Sequence, residues 1–186
     1  MARLFVSVDL QDELYPEIRP LRHRLKKTKA DLNMVDLEKV HFTLKFLGDT
    51  DTEHVDEVVE VMESSTADSQ VFELEVADVG VFPARDYISV IWVGAEKGTS
   101  ELESINEGLE EGLVARGLAE PEDHDFTPHA TLARMKSGRG KSEIHKFLDD
   151  YAGERFGRFT VESIELVESS LESDGPVYST VETVDL

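Results

Sequence analysis

The chain has 186 residues, of which 40 are acidic and 19 basic, which gives a net charge of −21. Repulsion among so many like charges destabilises a compact fold unless molar salt screens it, so the composition predicts a salt-accumulating halophile as the source. The chain is long enough to bury a core as one compact unit, and the absence of cysteine excludes a disulfide framework or a thiolate metal site. No apolar run reaches the roughly 20 residues that span a bilayer, so we expect a cytoplasmic protein without membrane contacts.

Hydrophobic periodicity predicts strands and helices that mix without the regular alternation of a parallel sheet. In chain order the predicted elements are a strand over 2–10, a helix over 12–29, a strand over 39–48, an acidic helix over 49–65, an antiparallel hairpin of strands 72–82 and 87–94, a helix over 100–117, a strand over 126–135, a short helix near 141–151 and two closing strands, 158–169 and 177–186. No low-complexity linker divides them. The predicted class is α+β in a single domain over 1–186.

Positive charge is concentrated in two short stretches. "RPLRHRLKKTK" (19–29) and "RMKSGRGK" (134–141) hold ten of the 19 basic residues and contain no acidic residue. Each stretch alone is compatible with an ordinary solvated face. Within so acidic a chain, the two together favour local contacts for an anionic ligand.

One short pattern occurs twice, each time in the middle of a predicted strand. "HFTL" (41–44) and "HATL" (129–132) both read His, apolar, Thr, Leu, and no other histidine has similar neighbours. Residues two apart on a strand point to the same face, so each histidine shares a face with its threonine. The repeat, 88 residues apart, predicts an internal duplication that presents the same chemistry on two facing sheets.

The same alternation makes predictions for the neighbours of these motifs. Lys45 continues the polar row of the first motif, and Phe42, Leu44 and Phe46 are predicted to face the core. Arg134 lies five residues after its histidine, so it falls on the opposite face unless the strand bends there.

Two histidines that meet across a cleft can supply both proton transfers of a phosphodiester cleavage. Their ordinary pKa near 6.5 allows one imidazole to accept a proton while the other donates one. Threonine hydroxyls can donate to phosphate oxygens, and a nearby Arg or Lys can neutralise developing charge, so no metal or cofactor is required. The competing interpretation is a pair of core histidines, each bonded to a backbone carbonyl.

The motifs resemble those of a known family. "HFTLKFLG" and "PHATLAR" are similar to the two HxTx motifs of the two-histidine (2H) phosphoesterase superfamily, in its RNA 2',3'-cyclic phosphodiesterase branch, also labelled 2'-5' RNA ligase-like. The resemblance extends to "RLFVSVDL", "GVFPARDYISVIWVG" and the closing segment "SSLESDGPVYSTV", and so covers nearly the whole chain.

The resemblance implies a bilobal fold in which pseudo-symmetric antiparallel sheets face a central cleft, with helices outside. It implies that His41 donates a proton to the 3'-oxygen and that His129 accepts one from water, which leaves a 2'-phosphate. Thr43 and Thr131 would hold the phosphoryl oxygens, and Arg134 would lie near the phosphate. The implied partner is an RNA with a 2',3'-cyclic phosphate end, such as a tRNA fragment, bound by a monomer.

Three further residues are candidate substrate contacts: Lys45 from its position in the motif row, Lys136 from the basic stretch and Tyr178 as a base-stacking ring. Three alternatives stay open. The substrate could be a small cyclic phosphate such as ADP-ribose 1'',2''-cyclic phosphate, or the chain could be an RNA-binding module without turnover. Reverse 2'-5' ligation is permitted by microscopic reversibility, but water favours hydrolysis, so we expect ligation only as a side activity.

Overall fold

The structure is a computed structural model and describes residues 1–172 and 175–186. The strands are β1 (Ala2–Asp9), β2 (Leu32–Met34), β3 (His41–Thr50), β4 (Phe72–Ala84), β5 (Tyr87–Lys97), β6 (His129–Met135), β7 (Arg155–Val161), β8 (Ser163–Glu172) and β9 (Gly175–Asp185). The helices are α1 (Tyr15–Lys26), α2 (Val55–Thr66), α3 (Thr99–Ala115) and α4 (Lys141–Asp150). None of the helices in the described ranges is long and apolar enough to cross a membrane.

The strands of these ranges form one antiparallel sheet in the order β7-β4-β5-β6-β3-β1-β8-β9, with the short β2 added to β6. Two halves of four strands meet where Phe42 of β3 pairs with Ala130 of β6. The predicted α+β class and antiparallel architecture are confirmed. The two motif strands therefore lie side by side at the centre of the sheet.

The sheet has to curl strongly because of one short connection. Glu162 alone joins β7, at one edge, to β8, which lies six strand positions away. Six spacings of about 4.8 Å would separate them by roughly 29 Å in a flat sheet, whereas one residue spans only about 3.5 Å. Curling brings the two edges together and makes the sheet a half-barrel whose concave face is the cleft.

The helices cover the convex side with apolar stripes of helical spacing. In α1 and α4, which pack together, the buried residues include Ile18, Leu21, Leu25, Ile144, Phe147 and Leu148. In α2 and α3 they include Val58, Val61, Met62, Leu102, Ile105, Leu109 and Leu113. Gly112 allows the second pair of helices to approach closely, because a Cβ there would lie 2.5 Å from a methyl group of Val61.

Some predicted boundaries were wrong. The first helix ends at Lys26 instead of residue 29, and β2 was not predicted. The segment 158–169 was predicted as one strand, but it forms parts of β7 and β8, because β7 pairs with β4 and β8 pairs with β1 in the other half of the sheet. The apolar positions change phase here, from Phe159 and Val161 to Ile164 and Leu166, but a change of phase alone does not identify the new partner strand.

Candidate active site

The two motifs lie on neighbouring central strands and project into the cleft. On β3 the side chains of His41 and Thr43 are half-buried, whereas Phe42 and Leu44 between and after them are buried in the core. The same alternation holds on β6, where Ala130 and Leu132 are fully buried beside the half-buried motif residues His129 and Thr131. The polar side chains of both motifs therefore share the concave face of the sheet.

Both histidines are held in the same way. Nδ1 of His41 donates to the carbonyl oxygen of Lys39 at 2.8 Å, and Nδ1 of His129 donates to that of Thr127 at 2.7 Å. A carbonyl oxygen can only accept, so the proton in each neutral ring resides on Nδ1. Nε2 is then the nitrogen that each imidazole offers to a substrate.

The pKa values of both histidines are lowered from the ordinary value. Burial lowers the pKa of His41, and the positive charges of His129 and Arg134 lower it further, against an opposing effect of the bond to Lys39. Burial likewise lowers the pKa of His129, with Arg134 again contributing. An anionic phosphate bound between the rings would favour their charged forms. Burial in the free site and an anion bound in it therefore act on the histidine pKa values in opposite directions.

A β-bulge places Arg134 on the cleft face. Ala133 pairs with Ile91 on β5, but the next pair is Thr131 with Trp92, so Leu132 is an extra residue in β6. A bulge of this kind shifts the alternation by one. Arg134 is exposed on the face that carries the second motif. Strict alternation from His129 would have placed it on the opposite face, and the bulge is the reason that it does not lie there.

The matching bulge in β3 overturns two predictions. Val6 of β1 pairs with Lys45 and Ser7 pairs with Thr43, so Leu44 is the extra residue. After it, Lys45 turns into the core and Phe46 turns outward, with 59% of its surface exposed. Lys45 as a substrate contact and Phe46 as a core residue are both wrong for this one reason.

Lys45 instead forms a buried ion cluster with the acidic loop 120–125. Its Nζ lies 2.6 Å from Oε2 of Glu110 and 3.2 Å from Oε1 of Glu122, and it donates to the carbonyl oxygen of Glu120 at 2.8 Å. Partial burial opposes ionisation of Glu110, but hydrogen bonds from Lys45 and from the Glu122 amide prevail and lower its pKa. The cluster ties the loop that precedes β6 to the back of β3.

An aromatic wall supports His41. Its ring stacks on Phe5 with centroids 4.9 Å apart and meets the edge of Tyr178 at 5.5 Å. Burial raises the pKa of Tyr178, and the charge of nearby Arg134 opposes that shift. Tyr178 therefore lies at the site, although residues 173–174 of the closing "SSLESDGPVYSTV" segment lie outside the described residues.

A second wall supports His129. Phe82 meets its ring edge-on at 4.7 Å, and Trp92 lies 6.0 Å away. Trp92 lies over Gly80, where an added Cβ would come within 2.2 Å of two indole carbons. Glycine at this position therefore leaves the space that the indole occupies beside the histidine.

Sequence reasoning missed Phe5, Phe82 and Asp9. Asp9 pairs in register with His41, and burial, with a smaller effect of Glu165, raises its pKa to about 6. The signal was available in "RLFVSVD", because strict alternation places Phe5 and Asp9 on one face of β1.

The remaining predicted contacts differ in their positions. Neither Thr43 nor Thr131 uses its hydroxyl to donate to another residue of the described ranges, so both hydroxyls are available to an anion. Lys136 is exposed one residue past the end of β6, and its amide donates to the carbonyl oxygen of Asp31 at 2.9 Å. Across residues 1–172 and 175–186, no three His, Asp or Glu side chains are grouped to hold a metal ion.

Known proteins resemble this chain along nearly its whole length. A family model described as the 2'-5' RNA ligase superfamily matches residues 10–172. A protein of Aeropyrum pernix named RNA 2',3'-cyclic phosphodiesterase is 34% identical over 87% of this chain and 90% of its own length. A protein of the same name from Methanothermobacter thermautotrophicus is 29% identical over 99% of this chain and 98% of its own. The solved structure of TT0787 from Thermus thermophilus is 28% identical, with a TM-score of 0.81 over 99% of this chain and 97% of its own.

Proposed function

The chain belongs to the 2'-5' RNA ligase superfamily, and we propose that it hydrolyses RNA 2',3'-cyclic phosphodiester ends to 2'-phosphomonoesters. The observation that carries the proposal is the matched pair of imidazoles on adjacent strands, each anchored through Nδ1 to the carbonyl two residues earlier. Relatives over nearly the full length are named RNA 2',3'-cyclic phosphodiesterase, which supports the substrate class.

In the proposed reaction one water oxygen forms a bond to phosphorus while the bond from phosphorus to the 3'-oxygen breaks. Nε2 of His129 accepts the proton that the water loses, and the protonated Nε2 of His41 donates a proton to the departing 3'-oxygen. The two rings end with exchanged protonation, and solvent restores them. Each transfer typically contributes about 10²–10⁴-fold to the rate.

The phosphate itself would be held by neutral and charged donors of the cleft face. Thr43 and Thr131 can each donate a hydroxyl proton to a non-bridging oxygen, and Arg134 can neutralise charge that grows in the transition state. Arg134 forms no ion pair within the described ranges, so its guanidinium is available. Tyr178, at the edge of His41, is the proposed base contact.

Hydrolysis of a dinucleotide with a 2',3'-cyclic phosphate end, in EDTA and high KCl, tests this function. We expect turnover with a 2'-phosphate as the product, identified by ³¹P NMR. A 3'-phosphate product, or dependence on added metal, would contradict the mechanism. Comparing the rate with that on ADP-ribose 1'',2''-cyclic phosphate separates an RNA enzyme from one specific for small cyclic phosphates.

The proposal also covers the origin of the two halves, the oligomeric state and the cellular environment of the protein. The same bulge after the threonine of each motif, at Leu44 and Leu132, supports an origin of the two halves by duplication. We expect a monomer that works in halophilic cytoplasm, where tRNA fragments are one source of substrate. Activity that is maximal in dilute buffer and falls steeply toward molar KCl would contradict the halophilic setting.

A further inference from the structure

The two basic stretches of the sequence come together in the fold. The amide of Lys136 donates to the carbonyl oxygen of Asp31 at 2.9 Å, and the amide of Asp31 donates to that of Arg139 at 3.3 Å. At Gly140, whose φ is +80°, an added Cβ would lie 2.4 Å from the Cα of Ala30. The segment after α1 and the loop between β6 and α4 are therefore packed backbone against backbone.

The cations in these stretches form fewer ion pairs with carboxylates than the other cations of the described ranges do. Within residues 1–172 and 175–186, one of the ten, Arg24, has a carboxylate within 4 Å. Of the nine basic residues elsewhere, five are so paired: Lys45, Arg85, Arg116, Arg155 and Arg158. In a chain with 40 acidic residues, a group of cations kept apart from carboxylates is suited to an external anion.

Eight of these ten cations are exposed, and five of the eight make up what we call the basic surface: Lys26, Lys27, Lys29, Lys136 and Arg139. Two of their neighbours are used internally, since Arg22 donates to the carbonyl oxygen of Val35 and Lys141 donates to that of Asp86. The acidic residue between the loops, Asp31, accepts a hydrogen bond from Ser137.

The basic surface is continuous with the active site. Asn33 of β2 pairs with Arg134 of β6, and β2 is preceded directly by the segment that carries Lys29. Lys136 follows Arg134 by two residues along the chain. Arg134 in turn is close enough to influence the pKa values of both motif histidines. A chain bound at the histidines would reach the surface next.

We propose that the basic surface binds the phosphate backbone of the RNA on the 5' side of its cyclic end, an inference that rests on the proposed function. The terminal nucleotide carries the cyclic phosphate on its 2'- and 3'-oxygens, so the rest of the RNA leaves through its 5'-phosphate. Lys and Arg side chains along that path would replace counterions of the strand. The exposed large apolar side chains of the described ranges, Met1, Phe46, Val71, Tyr87, Leu171, Val177 and Val181, all lie outside the basic surface, which favours RNA over a membrane.

Substrate length provides the test. The value of kcat/KM is measured for a dinucleotide and for a single-stranded decamer with the same cyclic-phosphate end, in the wild-type protein and in Lys27→Gln/Lys29→Gln. We expect the wild type to prefer the decamer and the variant to lose most of that preference, with dinucleotide kinetics unchanged. The slope of log KM against log[KCl] for the decamer should fall by about 1.4, or about 0.7 per lost contact. The control Lys97→Gln/Arg116→Gln removes equal charge from β5 and the end of α3. It should change neither the preference for the decamer nor the salt dependence of KM.

Each contrary result is distinct. Two results would show that the basic surface does not bind RNA, while leaving the proposed function intact. One is equal kcat/KM values for dinucleotide and decamer in the wild type, and the other is an equal loss of decamer preference in variant and control. Absence of dinucleotide turnover would instead refute the proposed function. Loss of binding to anionic phospholipid vesicles, with unchanged decamer kinetics, would overturn the assignment to RNA.

Discussion

Replacing Lys45 by methionine tests the most unexpected feature of the central strands. The Lys45 side chain has no exposed surface, and its Nζ contacts Glu110, Glu122 and the carbonyl oxygen of Glu120 within 3.2 Å. Removing one partner of a fully buried ion pair costs about 3–5 kcal/mol. Here the two carboxylate side chains are 28% and 35% exposed, so water can partly replace the ammonium, and we expect about 2 kcal/mol. Methionine keeps the aliphatic volume, so little of this is cavity formation.

The assay is thermal unfolding at fixed KCl, with kcat/KM measured well below the transition. About 2 kcal/mol corresponds to a fall in Tm of roughly 4–8 °C for a chain of this size, and kcat/KM should stay within about twofold of wild type. Because the folded-state pKa of Glu110 is lowered, its stabilising effect is lost as pH falls below the ordinary glutamate range, and the difference between variant and wild type should shrink there. An unchanged Tm with kcat/KM reduced more than about tenfold would refute the reasoning and restore Lys45 as a substrate contact.

Three further substitutions test the site. Burial is the main cause of the lowered pKa of both motif histidines, and the charge of Arg134 lowers each pKa further. Because Arg134→Gln removes that charge, both limbs of the pH profile of kcat/KM should move to higher pH. The maximum of the profile should fall by about 10²-fold, since the guanidinium no longer stabilises the transition state. The folded-state pKa of Asp9 is raised to about 6 from 3.8, so Asp9→Asn should raise Tm above pH 6, by a margin that disappears as pH falls toward 4. Gly80→Ala should displace Trp92, with about 1–3 kcal/mol lost in unfolding free energy and reduced kcat/KM.

The outcomes that contradict these predictions are equally specific. Unmoved pH limbs in Arg134→Gln would mean that the guanidinium does not act on the histidines. A stabilisation by Asp9→Asn that is constant between pH 4 and pH 8 would mean that ionisation is not its cause. Normal stability and turnover in Gly80→Ala would show that the indole can move without consequence for the neighbouring histidine.

The sequence was sufficient for the class of fold and for the residues at the centre of the cleft. Two HxT patterns required no knowledge of the sheet, since alternation alone places each histidine beside its threonine. The alternation was wrong only after the bulges. One extra residue in each strand turned Lys45 inward and Arg134 outward, and a bulge leaves no mark in the hydrophobic pattern of a single sequence.

Pairing between distant segments was likewise beyond local reasoning. The change of sheet partner at Glu162 and the added strand β2 depend on which strands lie next to each other, and not on the residues themselves. The joining of two basic stretches, separated by more than 100 residues, into one surface has the same origin. Composition indicated each stretch, and only the contacts of Asp31 and Gly140 unite them.

The central claim is that two imidazoles perform the two proton transfers. Its most direct test is kcat/KM of His41→Ala and His129→Ala on a dinucleotide 2',3'-cyclic phosphate in high KCl with EDTA. Each single variant should lose at least about 10²-fold, or about 2.7 kcal/mol of barrier. Near wild-type turnover by either folded variant would contradict the account.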